Sequence, residues 1–199
     1  MDAPGDALPI HLIAEDLRLS ATPVREALSR LAGEDLVEKR GPTYTRPRLD
    51  GRALAELYNL RLVYLAAAMA SRGERGGTRR RPPPQPSPQP SQAFAEALAR
   101  TDPALVVEAL LLEIVLAADD RTLAQIYYRA AARLAPFQAA EAQVLADGIE
   151  EARVLAAAFE IQDAAALRAA VRQYHRRRIR DAEMISRLAG GAKYRLDMI

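Results

Sequence analysis

The chain has 199 residues, of which 50% are apolar and 27% charged, and its net charge is +2. This composition is typical of a soluble globular protein, and the absence of cysteine excludes disulfides, cysteine-ligated zinc and thiol catalysis. Residues 1–9 carry two Asp and no basic residue, unlike a signal peptide. No uninterrupted apolar run approaches the roughly 20 residues of a membrane span. A cytoplasmic protein without a membrane segment is therefore expected.

Two short helices and a hairpin are predicted at the start of the chain. From Ile10 to Leu17, apolar residues recur at spacings of three and four, which is one face of a helix. Ser20 can cap a second helix, which ends at Gly33. Two β-capable runs around Gly41-Pro42 predict a hairpin. This order indicates a winged helix-turn-helix domain at residues 1–48.

The chain then returns to a helical pattern with one interruption. A broad apolar face from Asp50 to about Ser71 predicts a long helix. Residues 72–91 contain five Arg and a run of prolines, which excludes a regular helix or a central strand, and they are predicted to form a disordered loop. The alternative is an arginine-rich arm that contacts DNA phosphates.

Helical patterns resume after this loop. Asp102 and Asp163 are good helix starts, because each precedes a helix-forming run. The aspartate carboxylate can accept hydrogen bonds from the free backbone N–H groups of the first turn. Residues 49–199 are therefore predicted to form an all-helical bundle around the loop, and the fold class is mainly α with a small β-hairpin wing. The helices expected are Gln92–Arg100, Asp102–Ala118, Asp120–Leu134, Pro136–Phe159 and Asp163–Leu188.

Residues 10–44 resemble the DNA-binding domain of the GntR family of bacterial regulators. The most specific stretch is LSATPVREAL at residues 19–28, in which nine positions of the family pattern follow in order. Residues 57–61, LYNLR, resemble the opening of the FadR-type (FCD) ligand-binding domain, and residues 163–175 resemble its closing helix. The resemblance covers nearly the whole chain outside the loop, and it implies a transcription regulator.

The second predicted helix is the expected recognition helix, because such a helix enters the major groove by its N-terminal end. Ser20 and Thr22 can donate to phosphates or base edges there, and Arg25 can reach guanine as a bidentate donor. In the alternative interpretation, Ser20 and Glu26 only cap the helix and Arg25 forms a surface ion pair. Phosphate contacts, which position the protein without reading sequence, are expected from Arg30, Lys39 and Arg40, and wing contacts from Thr43 and Tyr44.

Two features depart from the family. Ala21 stands where relatives carry an Arg between the Ser and the Thr, which removes a base contact of about 1–3 kcal/mol. The helix that relatives place before Ile10 has only nine residues available here, so the first helix of the domain is expected to be truncated. These departures motivate an alternative function, a degenerate helical dimerisation or interaction protein that has lost tight DNA binding and ligand sensing.

Many relatives hold a divalent metal in the effector domain with one Asp and three His. Only His175 matches that set, because the other three aligned positions offer no lone pair: Val107, Leu111 and Ala152. No metal site and no cofactor are therefore expected. Arg61 matches a family Arg that faces the ligand, where it can pair with a carboxylate. The weaker candidates around it are Tyr64, Glu108, Arg153 and His175.

The alternative for these residues is structural. Arg61 then pairs with an acid on a neighbouring helix, and His175 is a helix-surface residue. The arginine-rich stretch of the last helix is interpreted as a solvated face with one or two residues turned inward: Arg172, Arg176, Arg177, Arg178 and Arg180.

The leading hypothesis is a homodimeric repressor that binds a short palindrome in double-stranded DNA. A small organic acid would bind the helical domain and change operator affinity. An enzyme is not expected, because the chain has no cysteine, no glycine-rich phosphate loop and no His–carboxylate spacing suited to acid–base catalysis.

Overall fold

A computed structural model describes residues 4–78 and 102–191 of the chain. The predicted fold class is confirmed, since the described residues form helices apart from one antiparallel pair of short strands. The elements in chain order are α1 (Ile10–Asp16), α2 (Ala21–Gly33), β1 (Glu38–Arg40), β2 (Thr43–Thr45), α3 (Gly51–Thr78), α4 (Pro103–Leu116), α5 (Arg121–Leu134), α6 (Gln138–Val144), α7 (Gly148–Glu160) and α8 (Ala164–Gly191).

The N-terminal elements pack around a small core of their own. Glu38 pairs with Thr45 and Arg40 with Thr43, and the turn between the two strands places Gly41 at φ 60, a backbone conformation that glycine adopts without strain. The segment before α1 pairs with the other side of β2, where the N–H of Leu8 donates to the carbonyl of Tyr44 at 2.8 Å. The buried core residues are Ala14, Val24, Leu28, Val37 and Tyr44.

Helices α3 and α8, of 28 residues each, pack against one another along the helical part of the chain. Two buried clusters surround them. One lies mainly between α3, α4, α7 and α8, with Leu65 and Leu111 completely buried. The other lies between α3, α5 and α8, with Leu54 and Ile185 completely buried. Together they hold the polar side chains described below between apolar layers.

Aspartates fix the starts of three helices, as expected for residues that accept from free N–H groups. The Asp102 carboxylate accepts from the backbone N–H groups of Ala104 and Leu105, at 2.9 and 3.4 Å. Asp120 and Asp163 do the same at the starts of α5 and α8. The interpretation of Asp102 and Asp163 as helix starts is confirmed.

The prediction of one helix over Pro136–Phe159 is wrong. A 3-10 turn at Ala135–Phe137 leads into α6, which ends at Val144. Leu145 follows with a non-helical ψ of 76, and α7 begins only at Gly148. The carbonyl of Asp147 accepts the N–H groups of Glu150 and Glu151 and so starts the new helix. The apolar periodicity is similar on both sides of this turn, which is why the sequence suggested continuity.

The long helix α3 also departs from the prediction, since it continues to Thr78 rather than ending near Ser71. Residues 72–78 therefore do not belong to the predicted disordered loop. Each glycine costs a helix only about 1 kcal/mol, whereas proline breaks a helix, and the first proline after the start of α3 is Pro82. The rest of the predicted loop, 79–91, and the predicted helix Gln92–Arg100 lie outside the described residues.

By length and composition alone, Gly51–Ser71 is apolar enough to cross a membrane, with a mean hydropathy of 1.2. A core helix of a soluble domain passes the same test. In this structure one face of the segment is buried against other helices, and that face includes the charged Arg61. It is the only such helix among residues 4–78 and 102–191.

Candidate DNA-binding surface and effector cavity

The N-terminal end of α2 presents an open polar surface. Val24 and Leu28 are buried and anchor one face of the helix in the small core, so the opposite face is turned to solvent. Ser20 occupies the N-cap position in an extended conformation, with φ −77 and ψ 162. Thr22 and Arg25 are exposed on the first turns of α2.

The alternative of a merely capped helix does not describe this surface. The Ser20 side chain makes no capping hydrogen bond. Within the part of the chain that the structure describes, no carboxylate pairs with Arg25. The hydroxyl groups and the guanidinium at this end of α2 are therefore free to contact another molecule. Ala21, where relatives carry Arg, is exposed in the same turn.

The cations expected to contact phosphates are exposed but not equivalent. Arg30 lies in the last turn of α2. Arg40 donates to Glu38 from Nε at 3.1 Å and from Nη2 at 2.7 Å, so part of its charge is neutralised. Lys39 lies 5.9 Å from the centroid of the Tyr44 ring. The Thr43 hydroxyl donates to the carbonyl of Arg40 at 2.9 Å, within the turn of the wing.

Tyr44 departs from its predicted position on the DNA-facing surface. Its side chain is only 3% exposed and belongs to the core that supports α1 and α2. Residues of a strand alternate between two faces, and Tyr44 is the inward member between Thr43 and Thr45. Tyr44 therefore supports the wing from inside.

A first buried polar cluster surrounds Arg61 of α3, which is 1% exposed. Its Nε donates to His175 Nε2 at 3.1 Å, and its Nη1 donates to Glu108 Oε1 at 2.6 Å. The other ring nitrogen of His175, Nδ1, lies 2.8 Å from the Val171 carbonyl. Both contacts fit a neutral imidazole that carries its proton on Nδ1. Burial, followed by the charge of Arg61, holds the pKa of His175 well below its usual value.

A second buried cluster lies one turn further along α8, around Arg178. Its Nε donates to Glu141 at 2.6 Å, and its Nη1 donates to Glu151 at 3.0 Å. The Tyr58 hydroxyl donates to the remaining oxygen of Glu141. Burial and the neighbouring Glu141 carboxylate raise the pKa of Tyr58 well above its usual value. The guanidinium carbon of Arg178 lies 3.3 Å from the centroid of the Tyr174 ring.

A cavity of about 180 Å³ opens beside these two clusters, between α4, α6, α7 and α8. Its polar wall consists of Glu108, Gln138, Glu141, Tyr174 and Arg178, with Asp102 at the start of α4. Most of the remaining wall is apolar: Pro103, Ala104, Val107, Ala142, Leu145, Ala146 and Ile149. A concave, largely apolar space with a few converging polar groups is the usual form of a small-molecule site.

The predicted effector residues occupy different places around this cavity. Glu108 lines it, whereas Arg61 and His175 lie behind the wall. Tyr64 is partly buried and packs against both core clusters. Arg153 is 75% exposed and pairs with Glu150 on the outer face of α7, so it does not belong to the cavity.

The alternative interpretation of these residues is half right. Arg61 does pair with an acid on another helix, but His175 is completely buried and not a helix-surface residue. In the arginine-rich stretch, Arg178 turns inward and the side chain of Arg177 is 22% exposed. The other three lie on the surface: Arg172, Arg176 and Arg180.

Glu141 and Tyr174 were not predicted from the sequence as residues of the cavity. The sequence of α8 nevertheless contains a pattern that indicates part of the buried face. Val171, Tyr174, His175 and Arg178 follow at spacings of three, one and three residues, which is one helical face. The intervening arginines obscured that face.

The residues of this chain do not fit the metal site that is implied by the resemblance to the FadR-type (FCD) domain. Val107, Leu111 and Ala152 are buried in the apolar core, and the Nε2 lone pair of His175 accepts the hydrogen bond from Arg61. Among the described residues, no three His, Cys, Asp or Glu side chains form a group that could hold a metal ion.

Comparisons with known proteins agree with this architecture. Residues 3–43 match the family model described as bacterial regulatory proteins, gntR family. The fold is similar to that of E. coli McbR/YncC, with a TM-score of 0.62 and 21% identity over 90% of this chain and 88% of that chain. GntR from Rhodococcus sp. RHA1 gives 0.59 and 17% identity over 96% and 89%. Lar, described as controlling the Listeria monocytogenes agr system, gives 0.54 and 12% identity over 91% and 88%. No curated protein sequence gives a significant match.

Proposed function

Because residues 3–43 carry a gntR-family helix-turn-helix domain on a regulator fold, we propose that the protein is a sequence-selective DNA-binding repressor rather than an enzyme. The observation that carries this proposal is the open N-terminal end of α2. Ser20, Thr22 and Arg25 are exposed there, and Arg25 has no ion pair among the described residues. A helix end of this kind fits the major groove, whose base edges offer guanine acceptors to an arginine.

We further propose that the protein acts in the cytoplasm as a homodimer on a short palindromic operator. A two-fold symmetric protein presents two copies of α2 to two half-sites, and operator symmetry then follows from protein symmetry. The DNA backbone on either side of the groove would be contacted by Arg30, Lys39, Arg40 and Thr43. The contact of Arg40 would be weaker, because Glu38 neutralises part of its charge.

The helical domain is proposed to hold a small effector in the cavity beside Arg178. Two contacts lie at the junction of this domain with the DNA-binding elements. Arg129 of α5 lies 3.8 Å from Glu34 at the end of α2, and Ser186 of α8 donates at 2.7 Å to the carbonyl of Leu49, the first residue after the DNA-binding domain. A ligand that shifts α8 relative to α5 would therefore change the position of α2. The organic acid expected from Arg61 would have to displace Glu108 first.

The test is an electrophoretic mobility shift with the DNA upstream of the protein's own operon, at 50–200 mM salt. We expect a sequence-selective shift that weakens with salt, because phosphate contacts release counterions. Arg25→Ala should weaken specific binding by about 1–3 kcal/mol, which is roughly 5- to 150-fold, and should reduce the preference over unrelated DNA.

Arg168→Ala is the matched control, since Arg168 is an exposed arginine of α8. This variant should bind as the wild type does. The absence of a selective shift at micromolar protein would contradict the repressor and favour the alternative, a helical interaction protein in which Ala21 marks lost DNA recognition.

A further inference from the structure

We propose that the cavity takes a small ligand with a protonated amine on a short apolar body, and that Glu108 determines this specificity by excluding carboxylates. The inference rests on the proposed effector role of the cavity and reverses the charge expected from Arg61 alone. Three features support it: the charge balance of the wall, the position of Arg61 behind Glu108, and the shape of the remaining space.

The charged groups around the cavity are negative in sum. The wall carries the carboxylates of Asp102, Glu108 and Glu141 against the single guanidinium of Arg178. Behind the wall, the guanidinium of Arg61 pairs with Glu108, and counting it still leaves three carboxylates against two cations. Arg178 is itself bound by two carboxylates, those of Glu141 and Glu151. An anionic ligand would therefore enter a space that already contains more carboxylates than cations, and repulsion at short range in a partly buried site is strong.

Arg61 does not face the cavity. Its Nη1 is held by Glu108 at 2.6 Å and its Nε by His175, and its Nη2, which has no hydrogen-bond partner among the described residues, is buried and does not line the open space. Glu108 stands between this guanidinium and the open space, with 23% of its side chain exposed. It thus occupies the place that the carboxylate of a ligand would need. Breaking this pair would leave a buried charge without a partner, at a cost that a small acid must offset.

The same carboxylate offers a position for a cation. Glu108 accepts from Arg61 through Oε1, and no side chain in the described ranges donates to its Oε2. Both oxygens of Glu141, by contrast, are already bound, one by Tyr58 and one by Arg178. A protonated amine beside Glu108 would form a charge-assisted hydrogen bond and reduce the negative excess of the wall.

The apolar part of the wall sets the body of the ligand. Val107, Leu145 and Ile149 face the space together with alanines of α4 and α6. At about 180 Å³ the cavity is smaller than the roughly 300–1,000 Å³ of sites for drug-sized ligands. A chain of a few carbon atoms therefore fits better than a sugar or a nucleotide.

The experiment compares three probes of similar length and different charge: n-pentylamine, 1-pentanol and valerate. Their dissociation constants are measured by isothermal titration calorimetry with the full-length protein at pH 7.5. We expect pentylamine to bind more tightly than pentanol, and valerate to bind most weakly. In Glu108→Gln, pentylamine should bind roughly 10- to 100-fold more weakly, because a charged hydrogen bond is lost, and valerate should gain affinity.

Glu113→Gln is the control, because Glu113 lies on the same helix outside the cavity wall and should leave all three constants unchanged. Circular dichroism establishes that both variants fold. Tighter binding of valerate than of pentylamine by the wild type, an unchanged pentylamine constant in Glu108→Gln, or no binding of any probe would each overturn the inference. These outcomes are separate from the DNA test: a protein that binds pentylamine but no operator refutes the repressor and leaves the ligand class intact.

Discussion

Replacement of Arg178 by Met tests whether the second buried cluster stabilises the helical domain. Arg178 and Glu141 are 7% and 8% exposed, so their pair is buried and little screened by solvent. Removing one partner of a buried pair costs about 3–5 kcal/mol, because the other charge stays behind unpaired. Glu151 keeps its contact with Arg177 at 2.9 Å, and only Glu141 loses its cation. We therefore expect a loss near the lower limit, about 3 kcal/mol.

The free energy of unfolding is measured with urea, by circular dichroism. For a chain of this size, 1 kcal/mol corresponds to about 2–4 °C in Tm, so Arg178→Met should lower Tm by roughly 6–12 °C. Arg176→Met, two residues away and exposed, should change the stability by less than about 0.5 kcal/mol.

A double variant separates the lost charge pair from lost packing. Adding Glu141→Gln to Arg178→Met removes the unpaired charge, while the amide oxygen can still accept from Tyr58. We expect it to recover at least about 1 kcal/mol relative to Arg178→Met alone. The reasoning is refuted if Arg178→Met costs less than 1 kcal/mol, or if the double variant loses the sum of the two single effects.

Three further predictions concern other parts of the chain. Gly51→Ala should cost about 1–3 kcal/mol in thermal unfolding, because a Cβ there would lie 2.6 Å from the Cα of Glu183, whereas Gly33→Ala meets nothing within 4 Å and should not destabilise. His175 has a folded pKa below its unfolded value of 6.5, so the unfolded chain binds the extra proton and the wild type loses stability as the pH falls below 6.5. Relative to His175→Gln, urea unfolding at pH 5.0 and 7.5 should show an additional loss of up to about 2 kcal/mol in the wild type, and equal losses would contradict this. Arg30→Ala should reduce the slope of log affinity against log salt by about 0.9 in an anisotropy titration, and an unchanged slope would remove Arg30 from the phosphate contacts.

Local sequence signals predicted the N-terminal fold well, because each of its elements depends on near neighbours. The apolar spacing within α2 and the turn at Gly41 are decided within a few residues. Tyr44 shows the limit of this reasoning. Its place in the wing suggested a DNA contact, but the direction of its side chain depends on strand register, which places it in the core.

The effector region was less predictable because its partners are distant in the chain. Arg61, Glu108 and His175 lie on three helices, and their pairing depends on how α3, α4 and α8 pack. The sequence could suggest a family arginine that faces a ligand, but not that an internal carboxylate would occupy it. The break between α6 and α7 is similar: it depends on Asp147, whose side chain is bound by Arg177 from α8.

The central claim is that α2 reads DNA sequence, and selection from a pool of random duplexes tests it most directly. The full-length protein is incubated with the pool at 150 mM salt, and bound DNA is recovered and sequenced over several rounds. We expect enrichment of one motif with two inverted half-sites, and a less restricted motif for Arg25→Ala at the positions that this arginine reads. Recovery of unrelated sequences by the wild type, or the same motif from both proteins, would contradict it.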